Sequence, residues 1–211
     1  EVKKAEEEEK KAPSKEVKNE FLRDRHSLTS EYTFDNFIEG ASNKFAKAVC
    51  YAVANDPSYC NPLFIYGHSG LGKTHLLYAI TNELLTRNPD LKIIYVKGEE
   101  FTNQLVESLR TKNGPVIFRN KYRTIDVLLV DDIQFLQKGK QCQEEFFNTF
   151  NDLTWKHKQI VMTSDVSPKN LPALEERLIS RFIGGMVQEI EAPGYETRLA
   201  ILKKNDKSDK N

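Results

Sequence analysis

The stretch Gly67-His68-Ser69-Gly70-Leu71-Gly72-Lys73-Thr74 limits what this chain can be more than any other part of it. It has the Gly-x-x-x-x-Gly-Lys-Thr spacing, follows the apolar run Leu63-Phe64-Ile65-Tyr66 and precedes a segment with helical spacing. Glycines let a backbone curl until successive N–H groups face one point, and the first turn of the next helix adds partial positive charge there. A strand, a glycine turn and a helix in that order make a phosphate cradle. Gly67, Gly70, Leu71 and Gly72 form its backbone, Lys73 supplies a cation for the outer phosphates, and Thr74 offers a hydroxyl to Mg2+.

Three further apolar runs follow: Ile93-Ile94-Tyr95-Val96, Val127-Leu128-Leu129-Val130 and Ile160-Val161-Met162-Thr163. None alternates with polar residues, so each predicts a strand buried on both faces, as in a parallel sheet covered by helices. Between them lie helical stretches, His75 to Leu85, Glu100 to Leu109 and Gln143 to Leu153, and in the last Phe146, Phe147, Phe150 and Leu153 share one face. The alternation predicts an α/β fold, a parallel β-sheet sandwiched between helices with right-handed crossovers.

With 211 residues, 39% hydrophobic and 29% charged, the chain has room for one sizeable soluble domain. No run approaches the roughly 20 apolar residues of a bilayer span, and no leader-like apolar core opens the chain, so a cytoplasmic location is expected. Residues 1–29 begin Glu-Val-Lys-Lys-Ala-Glu-Glu-Glu-Glu-Lys-Lys and carry too few apolar side chains to offset their ordering, which predicts a charged, disordered linker. Cys50, Cys60 and Cys142 show neither disulfide nor zinc spacing and read as reduced thiols. Lys+Arg and Asp+Glu are equal at 31 each, so overall charge points to no nucleic acid partner. A first residue Glu1 and the polar run Asn205 to Asn211 lead us to expect a fragment.

Asp131-Asp132 closes the third apolar run, and a carboxylate at the end of a strand beside a phosphate loop is where a magnesium ligand belongs. Asp131 is the candidate metal carboxylate and Asp132 the candidate group for polarising an attacking water. Thr163-Ser164-Asp165 ends the fourth run, either as a sensor of the outermost phosphate or as ordinary turn chemistry. Arg177 and Arg181 share a face if their segment is helical, and either reaches outward or pairs with the nearby glutamates.

Taken in order, the blocks Tyr32-Thr33-Phe34-Asp35-Asn36-Phe37, Ser42-Asn43, Asn61-Pro62-Leu63-Phe64-Ile65-Tyr66-Gly67, Phe118-Arg119-Asn120-Lys121-Tyr122-Arg123, Asp131-Asp132-Ile133-Gln134-Phe135-Leu136, Gln143-Glu144-Glu145-Phe146-Phe147 and Arg177-Leu178-Ile179-Ser180-Arg181-Phe182 resemble the DnaA family of bacterial replication initiators, which are AAA+ ATPases. The resemblance runs from about Tyr32 to about Leu202. It implies an AAA+ P-loop core over residues 30–191 and the start of a helical lid over 192–211. It also implies binding of ATP or ADP with Mg2+, head-to-tail self-assembly on chromosomal origin DNA, promotion of strand opening, and slow ATP hydrolysis as an off-switch. By the same resemblance Asn43 lies beside the adenine, and Arg181 reaches the nucleotide of a neighbouring subunit. Val106, Arg119, Lys121 and Arg123 fall in a helical insertion that contacts single-stranded DNA in the family. The family's lid arginine and helix-turn-helix duplex reader are expected to be missing, and contacts with acidic phospholipid or the replicative helicase belong to the complete protein.

The run Gln137-Lys138-Gly139-Lys140-Gln141-Cys142 departs from the family by a one-residue shift of its Gly-Lys pair, and Val166 stands where an arginine is common. Two rival readings remain: a helicase loader of the DnaC type, and a nucleotide-responsive interaction module without hydrolysis.

Overall fold

The computed structural model describes residues 31–57, 59–171 and 173–208; the linker expected over 1–29 lies outside them. A helix α1 (Lys44–Asn55) leads into β1 (Leu63–Tyr66), and α2 (Lys73–Arg87) carries the chain across to β2 (Ile93–Lys97). Two helices follow, α3 (Gly98–Ser108) and α4 (Gly114–Arg123), before β3 (Val127–Asp131), a tight turn of helix over Ile133–Lys138 and α5 (Lys140–Trp155). The remainder is β4 (Gln159–Ser164), α6 (Glu176–Ile183), β5 (Met186–Glu189) and α7 (Tyr195–Ser208). The four apolar runs are thus β1 to β4.

All strand pairs are parallel, in the order β2-β3-β4-β1-β5. β1 sits between β4 and β5, so the chain leaves β1 and crosses two strands before entering β2. Where strand order reverses in this way, the loops above the C-terminal ends part and open a crevice. The phosphate loop follows β1 and therefore borders that crevice.

Successive strand residues point to opposite faces, and each face has its own core. Phe64, Val96, Leu128, Val130, Ile160 and Met162 pack with Phe101, Phe118, Tyr122, Phe146, Phe150 and Phe182 from α3 to α6. Leu63, Ile65, Leu129 and Val161 pack on the other side with Val49, Val53, Leu76, Leu77 and Ile80 from α1 and α2. Two covered faces explain why the strands read as unbroken apolar runs. Local signals agree with the helices: Glu99 and Glu100 occupy the first turn of α3, and α4 has a proline at its start with Lys121 and Arg123 in its last turn. No described helix is long and apolar enough to cross a membrane.

Candidate functional site

The phosphate loop takes backbone conformations that its glycines permit. Gly72 has φ 90°, and a Cβ there would press into the Phe37 ring at 2.8 Å. Gly67 has φ 156°, and a Cβ would strike the Ile190 carbonyl oxygen. Lys73 opens α2 and is only 6% exposed. Its Nζ donates to the carbonyls of Gly67 (2.6 Å) and His68 (3.0 Å) and to Asp165 Oδ1 (2.8 Å), which lies at the end of β4. Burying an ammonium is costly unless its donors are paired, and these three acceptors pair them.

Asp131 is 1% exposed and accepts bonds on both oxygens. Thr74 Oγ1 donates to Oδ2 at 2.7 Å, the Tyr95 hydroxyl donates to the same oxygen at 2.9 Å, and Thr163 Oγ1 donates to Oδ1. Asp132 follows in left-handed backbone (φ 54°, ψ 55°), with its N–H donating to Thr163 Oγ1 at 3.1 Å. The Gln134 amide bridges Asp132 Oδ1 and Asp165 Oδ2, 3.3 Å from each. Burial raises the Asp132 carboxyl above its ordinary value, the Asp131 and Asp165 charges add to this, and the Gln134 amide and Lys73 oppose it. Residues from four segments therefore form one network, and Asp165 belongs to it through Lys73.

A cavity of about 670 Å³ adjoins the loop, lined by Phe37, Ile38, Asn43, Leu71, His75 and Lys204 among others. Asn43 shapes its wall: the amide donates to the Ile38 carbonyl (3.0 Å) and the side-chain oxygen accepts from Gly40 N–H (2.8 Å). Lys204 of α7 donates to the Asn36 carbonyl at 2.8 Å, so the last helix borders the same cavity.

The remaining candidates lie apart from this network. Arg181 on α6 is exposed, and its guanidinium lies 5.9 Å from the Phe147 ring centroid, with Arg177 over the same ring at 4.6 Å. Arg177 also donates to Glu175, the pairing its sequence left open. Val106 is 47% exposed on α3. Arg119 and Arg123 both bind the buried carboxylate of Glu145 on α5, with closest approaches of 3.0 and 2.6 Å, while Lys121 Nζ lies 5.7 Å from the Tyr122 ring. Arg119 and Arg123 are thus tied to the fold through Glu145.

Sequence reading missed Tyr95, Gln134 and His75. His75 sits next to Thr74, and its Nε2 lies 2.8 Å from the Thr33 carbonyl oxygen with Tyr32 and Phe37 edge-on to its ring. Burial lowers its pKa, so at neutral pH the ring is uncharged and donates through Nε2. A tyrosine inside the aliphatic run of β2 was the one available signal for Tyr95.

Thr74 and Asp131 suit a hard cation, since one buried carboxylate and one hydroxyl stand a hydrogen bond apart. Among the described residues no group of three or more His, Cys, Asp or Glu forms a metal cage. The donor set therefore fits a cation that arrives with phosphate and keeps several waters.

This sheet order, with a phosphate loop after β1 and acidic or polar strand ends on β3 and β4, defines a P-loop ATPase of the AAA+ class. The chain belongs to the bacterial DnaA family: the model of the bacterial DnaA ATPase domain matches residues 28–189. The chromosomal replication initiator protein DnaA of Lachnoclostridium phytofermentans is 52% identical over 200 residues, 94% of this chain and 43% of that protein. The chain thus spans less than half the length of that relative. Domain III of the Thermotoga maritima initiator superposes with a TM-score of 0.81 at 46% identity, covering 84% of this chain and 74% of that one. A replication initiator DnaA bound to AMPPCP and single-stranded DNA matches with a TM-score of 0.79 at 41% identity, over 86% of this chain and 56% of that one. The DnaC helicase loader, at 16% identity and a TM-score of 0.64, shares the fold alone.

Proposed function

We propose that this chain is the ATP-binding switch of a cytoplasmic replication initiator, which in the ATP form assembles head to tail on chromosomal origin DNA and promotes strand opening. Lys73, the loop backbone and Thr74 hold the phosphates, Thr74 and Asp131 hold Mg2+, and the cavity beside Asn43 holds the adenine. When bound, Mg2+ neutralises charge on the outer phosphates. Asp132 polarises the water that slowly hydrolyses ATP. Arg181, exposed and outside the network of its own chain, reads the nucleotide of the next subunit. Core contacts with single-stranded DNA run through the α3–α4 face, where Val106 is exposed and Lys121 lies beside the Tyr122 ring.

One observation carries the switch. Lys73 is bonded to Asp165, and Asp165 to Gln134 and so to Asp132. A phosphate that draws Lys73 away from Asp165 changes the partners of Asp165, Gln134 and Asp132 together. Calorimetric titration of ATP into the chain, with and without Mg2+, tests the reading: saturable binding is expected, and its absence in both conditions would overturn it. AMPPCP binding by the matched initiator supports it.

A further inference from the structure

Tyr95 is a polar group that the mechanism above leaves unused. It lies in β2 in register with Leu129, two residues before Asp131, and its hydroxyl crosses to Asp131 Oδ2 at 2.9 Å. That oxygen also accepts from Thr74, while Thr163 occupies the other. The Tyr95 ring is braced from one side: Tyr78 of α2 stacks on it with centroids 4.9 Å apart and planes at 26°. Tyr32 stacks on Tyr78 at 5.5 Å and 17°, and meets His75 edge-on. Tyr32 and His75 line the cavity beside the phosphate loop. A continuous row of rings therefore runs from that cavity to the carboxylate.

We propose that Tyr95 is a positioning residue for Asp131 as a divalent-cation ligand, and that Tyr78 and Tyr32 hold its ring in place from the nucleotide cavity. The proposal rests on the reading of Thr74 and Asp131 as the cation site. Magnesium demands near-octahedral geometry, so a carboxylate that serves it must not swing. Thr163 fixes one oxygen. Thr74 cannot be relied on for the other, because its hydroxyl is itself a candidate ligand. Tyr95 is then the protein donor left to set the plane of the carboxylate, and partners of this kind tune the ligand they orient.

Tyr95→Phe removes the hydroxyl and keeps the ring and its stack. A fluorescent ATP analogue is titrated into the full chain and into this variant, first in EDTA and then across a Mg2+ series, with melting temperatures recorded without nucleotide. Tyr95→Phe should leave affinity in EDTA within about twofold, while the Mg2+ concentration that half-saturates the cation-dependent gain rises roughly 10- to 100-fold. Tyr78→Leu should shift that midpoint in the same direction by less. A wild-type midpoint in Tyr95→Phe overturns the proposal, as does an equal loss of affinity in EDTA and Mg2+, which marks a purely structural residue. If the wild-type chain binds the analogue with no response to Mg2+, the cation site and this inference both fall; if only the variant matches wild type, the cation site stands and Tyr95 alone is wrong.

Discussion

Lys73 and Asp132 stand in one network, yet their replacement has different consequences. Lys73→Ala removes the buried ammonium and leaves Asp165 with only the Gln134 amide, so calorimetry should show ATP affinity reduced by at least about 100-fold, given the strength of charge-assisted bonds. Asp132→Asn should keep ATP affinity and slow hydrolysis by roughly 10²- to 10⁴-fold, the usual contribution of a positioned base. The same substitution has a stability signature. Because the fold raises the Asp132 pKa, the favourable contribution of this group is complete below its unfolded value near 3.9 and is lost as pH rises through the folded one. At pH 7 its ionised form therefore opposes folding, and Asp132→Asn should raise the melting temperature of the nucleotide-free chain. Part of that gain should fade as pH falls toward 4. Asparagine's tolerance of the left-handed backbone at this position accounts for the part that remains. A decrease in melting temperature at pH 7 would contradict the assigned environment. The phosphate loop and the acidic pair were legible because their chemistry is written in adjacent residues. The Lys73–Asp165 bond and the Tyr95 hydroxyl on Asp131 were not, since they join segments that only the sheet brings together.

Elements were legible where burial makes a sequence monotonous. β1 coincides with its apolar run, and β2 to β4 extend theirs by a residue at one or both ends. β5 escaped notice because Met186-Val187-Gln188-Glu189 is short, half polar and only partly buried, and its pairing with β1 is a tertiary event. The basic cluster on α4 shows how an element-level reading changes on folding. The resemblance places Arg119, Lys121 and Arg123 in a segment that contacts single-stranded DNA, yet Glu145 from α5 holds both guanidiniums. Glu145 is buried, while Arg119 is about half exposed, so full buried-pair values need discounting for solvent. Glu145→Ala should destabilise the chain by about 2–3 kcal/mol in urea titration, through loss of the clamp between α4 and α5. A loss below about 0.5 kcal/mol would make the cluster a solvated surface after all.

At the scale of the whole molecule, the proposed function has nucleotide and neighbour act on different faces. A ligand that binds only the folded state at 100 times its Kd adds about 2.7 kcal/mol, which for a domain of this size raises the melting temperature by about 5–10 °C. ATP should produce that rise in the wild-type chain and at most about 1–2 °C of it in Lys73→Ala. Arg181→Ala should leave the rise intact, yet prevent ATP-dependent assembly on origin DNA when placed in the complete protein, as read by sedimentation. Normal assembly by that variant would confine the arginine to its ring contact with Phe147.

The bond between Lys73 and Asp165 also bears on which ligands the proposed site should admit. A cradle that already contains a carboxylate of its own behaves as a lock with a dummy key inserted. A lone small anion must evict that occupant by charge alone, while on the proposed function a nucleotide would bring a base and sugar to the adjoining cavity to offset the eviction. The internal carboxylate should therefore set a threshold, and calorimetric titration of inorganic phosphate into the chain should show far weaker binding than ATP.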